Sequence, residues 1–337
     1  MSSIPKNDNF QAILDDSQNS SPKEKVFGYY LYLPPELRIM ILDEMEPADR
    51  CRFSRCSELC YAETRVSKNY IYGLKLVRHL RSCVRIYVTH GIDRQTNKDV
   101  GFILEIKNIF DYKCIAYLNM EETVLWEDTL ENSTDLLEYA AQHFKKLLQF
   151  FQNTVKNLII DGEISKTKID FGIQNLKNLK MLEVYSNIDI RQFLSKIRHP
   201  LRSLCVDEKN ANLVADFNQI YQVQNDLYMP YTKLKHIQFQ RLTAKNVVVH
   251  IGYLTVTNIR DFVKSWQKGE IGQNIEKYGW SLEGETDFDV DEYINLMGIP
   301  QNGRMRIEHL NDSGKSAELF YIRKHGEIIK IGIIVNH

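Results

Sequence analysis

The feature that most constrains how this 337-residue chain folds is a six-residue pattern that recurs along its second half. Each copy reads apolar, basic, any, apolar, any, apolar. The copies are VKNLII from Val155, LKMLEV from Leu179, LRSLCV from Leu201 and LKHIQF from Leu234. A degenerate fifth copy, IEKYGW, has Glu276 in the basic position. This spacing predicts one short strand per copy, with its first, fourth and sixth side chains in a shared core.

The segments between the copies predict the architecture. IDIRQFLSKIRH, NLVADFNQIYQV and VTNIRDFVKSWQ have helical apolar spacing. A strand–helix–strand order favours parallel strands with right-handed connections. Because L-x-x-L-x-L is the strand of a leucine-rich repeat, we expect a divergent leucine-rich-repeat-like αβ solenoid, although the closing asparagine of that repeat occurs once, at Asn187. The alternative is an ordinary α/β domain in which the pattern recurs by coincidence.

Two further patterns flank these copies. CVRIYVTHG, VGFILEI and YKCIAYLNM alternate apolar and polar residues, which predicts short antiparallel strands. DLLEYAAQHFKKLLQFFQ predicts an amphipathic helix from Asp135, capped by Ser133 or Thr134. The C-terminal SAELFYIRKHGEIIKIGIIVNH predicts a β-hairpin with its turn at the His-Gly pair, and this hairpin would cap the open end of the solenoid.

The N-terminal part of the chain differs in character. The first residues are polar and predict a disordered tail, and the following stretch predicts three helices. Pro34-Pro35 suits the start of the first helix, Pro47 opens a second in PADRCRFSRCSELCYAETR, and YIYGLKLVRHL predicts a third. The whole chain is therefore expected to be α+β. Its expected regions are a tail at 1–25, helices at 28–80, strands at 84–130 and the repeat domain at 133–337.

The first predicted helix, in LPPELRIMILDEMEPADRCRF, carries more apolar surface than a small helical domain can bury. It has two apolar edges, one formed by Leu37, Met40, Ile41 and Met45 and the other by Ile39 and Leu42. A domain of about 45 residues cannot comfortably bury both. One edge can pack on the other two helices. The second needs either a partner protein or the strand region of the same chain, and the sequence leaves open which edge faces outward.

Charge and composition exclude several functions. The net charge is −1 and the isoelectric point is about 6.8, so no basic field favours nucleic acid or an anionic membrane. No apolar run is long enough to span a membrane, and the N-terminus lacks the apolar stretch of a signal peptide. We therefore expect a cytoplasmic and/or nuclear protein that binds neither nucleic acid nor membrane.

No motif predicts catalysis or a cofactor. SGKS from Ser313 resembles the end of a phosphate-binding loop, but His309 stands where its glycine would be. Cys51, Cys56 and Cys60 lack the paired spacing of zinc ligands, which favours small residues on a buried helix face over a metal site. The chain is expected to be non-catalytic, with an enzyme site assembled from distant residues as the alternative.

The helical region resembles a known family. LPPELRIMILDEMEPADRCRFSRCSELCY looks like an F-box, with a Leu-Pro-x-Glu-Leu opening, an Ile-Leu pair and a Pro-x-Asp-Arg turn. FSRCSELCY is similar to the nematode branch of F-box proteins, and TVTNIRDFVKSWQKG resembles a signature of their F-box-associated domain. NDSGKSAEL is similar to another segment of that domain, with Ser313 inserted. The residues that match the F-box are Leu33, Pro34, Glu36, Leu37, Ile41, Leu42, Pro47, Asp49, Arg50 and Phe53.

This resemblance implies a function. F-box proteins dock onto a Skp adaptor and through it join a cullin-RING ubiquitin ligase, while their C-terminal domain holds a protein substrate. The chain would then be a non-catalytic, substrate-recognition subunit. A stand-alone repeat-based protein-binding scaffold without a ligase role is the alternative. The residues expected to contact the adaptor are Leu33, Pro34, Leu37, Ile41, Leu42 and Pro47.

A candidate substrate face follows from the predicted strands, because side chains between the core positions point to the opposite surface. These residues are Asn157, Ile159, Met181, Glu183, Tyr185, Ser203, Cys205, Asp207, His236 and Gln238. Such a mixed surface suits a protein segment better than nucleic acid. The basic positions of the copies form a second column that either contacts an acidic patch or is solvated. This column consists of Lys156, Lys180, Arg202 and Lys235.

Overall fold

The chain divides into two compact units, Met1–Asn69 and Tyr70–His337. The computed structural model describes residues 30–45, 47–54, 56–66, 71–80, 82–92, 98–109, 112–130, 135–152, 154–162, 170–185, 188–207, 215–271, 274–282, 286–300, 303–311, 314–325 and 327–336. The predicted tail at 1–25, Ser133, Thr134 and Asn187 lie outside these described residues.

Among its described residues, the first unit contains α1 (Pro35–Glu44), α2 (Pro47–Phe53) and α3 (Glu58–Val66), and residues 30–32 before α1 are also helical. α1 begins where expected, because Pro34 is its N-cap and a proline suits the first turn. The stretch predicted as a single second helix is two helices, α2 and α3. Ser57 starts the second of them, since its hydroxyl oxygen accepts a hydrogen bond from the Cys60 amide at 3.1 Å. α3 packs against both α1 and α2.

The prediction of a third helix in YIYGLKLVRHL is wrong, because this segment contains strand β1 (Gly73–Leu80). Leu74 and Leu76 are buried, whereas Lys75 between them in the sequence is half-buried. Burial with a period of two residues is typical of a strand. The helical region therefore ends with α3, and the boundary expected at residue 80 falls inside the second unit.

The strands described in the second unit form one sheet of 14 strands. After β1, the strands are β2 (Cys83–Ile92), β3 (Asp99–Ile109), β4 (Tyr112–Asn119), β5 (Val124–Leu130), β6 (Asn157–Asp161), β7 (Met181–Tyr185), β8 (Ser203–Val206), β9 (Asp226–Lys233), β10 (Asn246–His250), β11 (Lys277–Ser281), β12 (Arg304–Glu308), β13 (Ser316–Lys324) and β14 (Glu327–Asn336). Their order across the sheet is β12-β13-β14-β11-β10-β9-β8-β7-β6-β1-β2-β3-β4-β5.

The sheet has a parallel centre and antiparallel flanks. β1 and β6 to β11 are parallel to one another. β2 to β5 continue from β1 as an antiparallel meander, which confirms the strands predicted between residues 84 and 130. The predicted C-terminal hairpin is β13 and β14, and β14 pairs antiparallel with β11.

The helices described in the second unit are α4 (Leu136–Phe151), α5 (Arg191–Leu194), α6 (Asn218–Tyr221), α7 (His236–Phe239), α8 (Val256–Gln267) and α9 (Val290–Met297). α4 is the predicted amphipathic helix, but its cap is Asp135 rather than Ser133 or Thr134. The Asp135 carboxylate accepts hydrogen bonds from the Leu137 and Glu138 amides at 2.8 and 3.2 Å. α5, α6 and α8 lie in the three connections expected to be helical.

One face of the parallel strands forms the core, and the other remains partly open. On β6 to β8 the core residues are at most 1% exposed, and they are Leu158, Ile160, Leu182, Val184, Leu204 and Val206. Phe171 lies over this core between Phe144 of α4 and Phe193 of α5, with ring centroids 5.8 and 5.4 Å away. The alternate side chains form the open face, which consists of Asn157, Ile159, Met181, Glu183, Tyr185, Ser203, Cys205, Asp226 and Tyr228.

The copy LKHIQF is not a strand, so this prediction is wrong. The segment contains α7, and Ile237, which the pattern assigns to the core, is 70% exposed. The Gln238 side-chain oxygen accepts a hydrogen bond from the Lys235 amide at 2.9 Å, an arrangement that stabilises the start of a helix. A local capping interaction therefore overrides the apolar pattern here.

Two other strands occupy the place of this copy in the sheet. β9 follows β8, with Leu227 and Met229 in the core. β10 follows β9 and begins in AKNVVV, where Ala244 takes the first core position and is 2% exposed. β11 confirms the degenerate copy IEKYGW as a strand, with Tyr278 and Trp280 buried. The core pattern thus continues from β6 to β11 in a register different from the expected one.

Candidate functional site

α1 presents one apolar stripe to solvent. Leu37, Met40 and Ile41 are 45%, 61% and 43% exposed and lie at positions i, i+3 and i+4 of one helix face. We call these three residues the α1 stripe. Leu42, on the other apolar edge, is fully buried. The α1 stripe is therefore the edge that is available to a partner.

The six residues expected to contact an adaptor are not equivalent. Three of them are exposed, namely Pro34, Leu37 and Ile41, and a fourth, Leu33, is half-buried. Leu42 differs from the other residues, because its side chain is fully buried and is not presented to solvent. α2 begins at Pro47, whose side chain is not described. Met40 was not among the predicted contacts, although it is exposed on the same helix face and its spacing from Leu37 was the available signal.

A polar cluster holds α1 against α3. Arg38 Nε lies 2.7 Å from Glu63 Oε1, and the Tyr30 hydroxyl donates a hydrogen bond to the other carboxylate oxygen at 2.8 Å. The side chains of Arg38 and Glu63 are 14% and 11% exposed. Burial and the hydrogen bond to Glu63 raise the pKa of Tyr30, so its hydroxyl remains a donor at neutral pH. This cluster fixes the rotation of α1 and keeps the α1 stripe in solvent.

A groove crosses the open face at β7, β8 and β9. β8 contributes the short side chains of Ser203 and Cys205. The register places longer side chains on both sides, Met181 and Glu183 on β7 and Asp226 and Tyr228 on β9. Short side chains between long ones leave a depression of about 540 Å³. Its lining residues are Met181, Glu183, Tyr185, Ser203, Leu204, Cys205, Asp207, Asp226 and Tyr228.

The groove brings together part of the predicted substrate face. Six of the ten predicted residues line it, and these are Met181, Glu183, Tyr185, Ser203, Cys205 and Asp207. Asn157 and Ile159 lie outside the groove on β6, opposite Met181 and Glu183. The helical conformation of LKHIQF removes the other two, because His236 and Gln238 belong to α7 and not to the open face.

Sequence reasoning missed two residues of the groove, Asp226 and Tyr228. Both lie on β9, where Leu227 and Met229 alternate with them and point into the core. That alternation in DLYMPY was the available signal. The six-residue pattern hid it, because Gln224 and Asn225 stand where the four regular copies have an apolar and a basic residue.

Neutral donors orient two carboxylates of the groove. Asp226 accepts hydrogen bonds from the Ser203 hydroxyl at 2.9 Å and from the Asn246 side-chain amide at 3.0 Å. Glu183 accepts one from the Tyr185 hydroxyl at 3.1 Å. Of the described residues that line the groove, none carries a positive charge. The formal charges on the residues that line the groove are therefore all negative.

Cys205, at the floor of the groove, is a weak nucleophile. Burial raises the pKa of its thiol to about 11, and the nearby carboxylates of Glu183 and Asp207 act in the same direction. The thiol is therefore protonated at neutral pH, and the thiolate is the reactive form. The chemistry of the groove favours binding over covalent catalysis.

The basic column lies at the start of the parallel strands. Three of its members are exposed, and each lies immediately before one of the strands β6, β7 and β8. These residues are Lys156, Lys180 and Arg202. The expectation is wrong for Lys235, which precedes α7. Lys245, which precedes β10, takes the corresponding position, and its Nζ lies 3.0 Å from Glu276 Oε1.

The described part of the chain also bears on the cysteines, on metal ligands and on membrane-spanning helices. Cys60 is buried on α3, as the sequence indicates, whereas Cys56 is exposed. Among the residues that the structure describes, no three His, Cys, Asp or Glu side chains are grouped as metal ligands would be. None of the helices described is both long enough and apolar enough to span a bilayer.

Comparison with known proteins identifies one domain of the chain. No solved structure matches it. An uncharacterized F-box protein from Caenorhabditis elegans is 19% identical over 305 residues, which cover 82% of this chain and 77% of that protein. Residues 31–71 match the family model of the F-box domain, so α1, α2, α3 and the α1 stripe all lie within an F-box domain.

Proposed function

We propose that this chain is the substrate-recognition subunit of a Skp-cullin-F-box ubiquitin ligase. The α1 stripe binds the Skp adaptor and through it the cullin, and the second unit binds a protein substrate. One observation carries the proposal: the segment that matches the F-box domain, 31–71, keeps an apolar stripe in solvent. The chain itself supplies no covalent chemistry, and it works in the cytoplasm and/or nucleus.

The α1 stripe supplies part of the binding energy. The exposed fractions of Leu37, Met40 and Ile41 together equal about one and a half side chains. At about 1.5–3 kcal/mol per fully buried side chain, their burial contributes about 2–4 kcal/mol. A micromolar complex requires about 8 kcal/mol. The interface therefore extends beyond the stripe, and Leu31 and Tyr32, 49% and 75% exposed, are two further apolar residues that precede α1.

We further infer that the second unit is a divergent leucine-rich-repeat-like αβ solenoid and corresponds to an F-box-associated domain. The in-register parallel pairing of β6 to β11 supports this inference, since each strand places its apolar positions on the same face. β14 and β13 extend the sheet beyond β11 and would act as the cap that a repeat array needs. The open face is where the substrate binds.

Co-purification with a purified Skp adaptor tests the proposal. The full-length chain is expected to retain the adaptor, and a Leu37→Asp/Ile41→Asp double variant is expected to lose it. Both changes are at exposed positions, so the fold should tolerate them. Ile237→Asp is the matched control, because this apolar residue is 70% exposed but belongs to the second unit.

Two results would contradict this assignment. Retention of the adaptor by the folded double variant would place the interface elsewhere. Failure of the folded wild-type chain to retain any Skp adaptor would favour a protein-binding scaffold without a ligase role. Circular dichroism of each variant establishes that the chain is folded.

A further inference from the structure

The groove on β7 to β9 has a shape that a single extended segment can fill. Its floor consists of Ser203 and Cys205, and the rings of Tyr185 and Tyr228 stand beside it, 37% and 39% exposed. Two tyrosines on flanking strands offer flat, partly apolar surfaces with little side-chain entropy to lose on binding. The volume of about 540 Å³ accommodates a few side chains rather than a folded domain.

The charge of the groove selects the chemistry of its occupant. Glu183 and Asp226 are both held by neutral donors, so their hydrogen bonds position the charges without neutralising them. Neither carboxylate forms an ion pair within the described part of the chain. An occupant that lacked positive charge would have to desolvate these carboxylates without compensation, which is costly.

We propose that this groove binds an extended protein segment with two basic side chains, and that it prefers arginine to lysine. The inference rests on the proposed function, because it names the chemical class of the substrate. One basic side chain pairs with Glu183 and the other with Asp226. A guanidinium also stacks on tyrosine and binds a carboxylate through two parallel hydrogen bonds, which an ammonium cannot do.

The spacing of the two carboxylates sets the spacing of the basic residues. Neighbouring strands lie about 4.8 Å apart and residues along a strand about 3.3 Å apart. Glu183 on β7 and Asp226 on β9 are two strands apart and offset by two residues, because Glu183 lies level with Tyr228, so their backbones are separated by about 12 Å. In an extended segment the side chains at i and i+2 point the same way and are about 7 Å apart. Two long basic side chains at that spacing reach both carboxylates. A phosphate group between them would meet the negative groove and weaken binding.

Fluorescence anisotropy with short labelled peptides tests the proposal on the full-length chain without adaptor. The probe is Gly-Ser-Arg-Ser-Arg-Ser-Gly, and the comparison peptides replace both arginines by lysine, glutamine or glutamate. A further peptide carries phosphate on the serine between the arginines. The arginine peptide is expected to bind at least about tenfold more tightly than the glutamine peptide, with lysine between them. The glutamate and phosphorylated peptides are expected to bind most weakly.

Neutral variants of the groove locate the site. Glu183→Gln is the first choice, since it removes a charge and retains the shape, and its expected effect is about a tenfold loss of affinity for the arginine peptide. Asp226→Asn provides a second variant with the same expected loss. Glu138→Gln, at an exposed position on α4, is the matched control and should leave the affinity unchanged.

The outcomes separate this inference from the proposed function. Equal binding of the arginine and glutamine peptides, no binding of any peptide, or an unchanged affinity in the folded Glu183→Gln variant would overturn the inference. Each of these results leaves adaptor binding intact if the proposed function is correct. Conversely, the Leu37→Asp/Ile41→Asp variant should still bind the arginine peptide after it has lost the adaptor.

Discussion

Leu42 and Met40 lie two residues apart on α1, and replacing each by alanine should have opposite consequences. Leu42 is fully buried and Met40 is 61% exposed. Leu42→Ala is therefore expected to destabilise the first unit and Met40→Ala to weaken adaptor binding. The comparison tests the rotation of α1 about its own axis, on which the proposed interface depends.

The magnitudes follow from burial. Truncating a fully buried leucine costs about 2–5 kcal/mol, and we expect about 3 kcal/mol for Leu42→Ala. A unit of this size is stabilised by only a few kcal/mol, about 0.05–0.15 kcal/mol per residue, so this loss would unfold much of it. Met40→Ala should change the stability by less than about 0.5 kcal/mol. Losing the exposed part of Met40 from an interface should cost about 1–2 kcal/mol, or about 5- to 30-fold in affinity.

Hydrogen exchange across 35–66 and calorimetric titration with a Skp adaptor measure the two effects. Leu42→Ala should accelerate amide exchange in α1 and α3, whereas Met40→Ala should leave exchange unchanged and lower the affinity. The reasoning is refuted if the two variants exchange roles, so that Met40→Ala unfolds the unit and Leu42→Ala only weakens binding.

Three further predictions follow from individual contacts. Glu63→Ala removes the carboxylate beside Arg38 and should lower the free energy of unfolding of the first unit by about 2–3 kcal/mol, because the pair is largely buried; unchanged exchange in α1 would contradict this. Gly332→Ala places a methyl group 2.6 Å from the Phe320 ring and should destabilise the second unit by about 1–3 kcal/mol in urea unfolding, whereas an unchanged midpoint would show that the sheet yields there. Because burial raises the pKa of Cys205 to about 11, its alkylation by iodoacetamide should be slow at neutral pH and accelerate towards pH 11; fast alkylation at neutral pH, measured by mass spectrometry, would contradict the buried site.

Elements with strong local signals were predictable from the sequence. The proline pair marks the start of α1, and short apolar segments correctly predicted β2, β3 and β4, although Phe102, Ile103 and Leu104 form a continuous buried run rather than an alternation. Elements that depend on competing signals were not. In LKHIQF the hydrogen bond from the Lys235 amide to Gln238 stabilises a helix in spite of the apolar pattern. β1 was predicted as a helix, although the burial of Leu74 and Leu76 has the two-residue period of a strand.

The residues of the candidate site were predictable only on those strands whose register was predicted correctly. Positions three and five of LKMLEV and LRSLCV point to the open face because their neighbours fill the core, which correctly placed Glu183 and Cys205 together. Asp226 and Tyr228 were missed because β9 lacks the apolar and basic pair that opens the four regular copies. The exposure of Met40 and the burial of Leu42 depend on how α1 packs on α3, and helical spacing alone does not specify that packing.

The most direct test of the central claim is the hydrogen exchange of Pro35–Glu44 in the full-length chain, with and without a saturating Skp adaptor. We predict that the adaptor slows amide exchange around Leu37, Met40 and Ile41 in wild type. In the Leu37→Asp/Ile41→Asp variant it should have no effect. Exchange in α1 that is unaffected by bound adaptor would contradict the claim that the α1 stripe is the adaptor-binding surface.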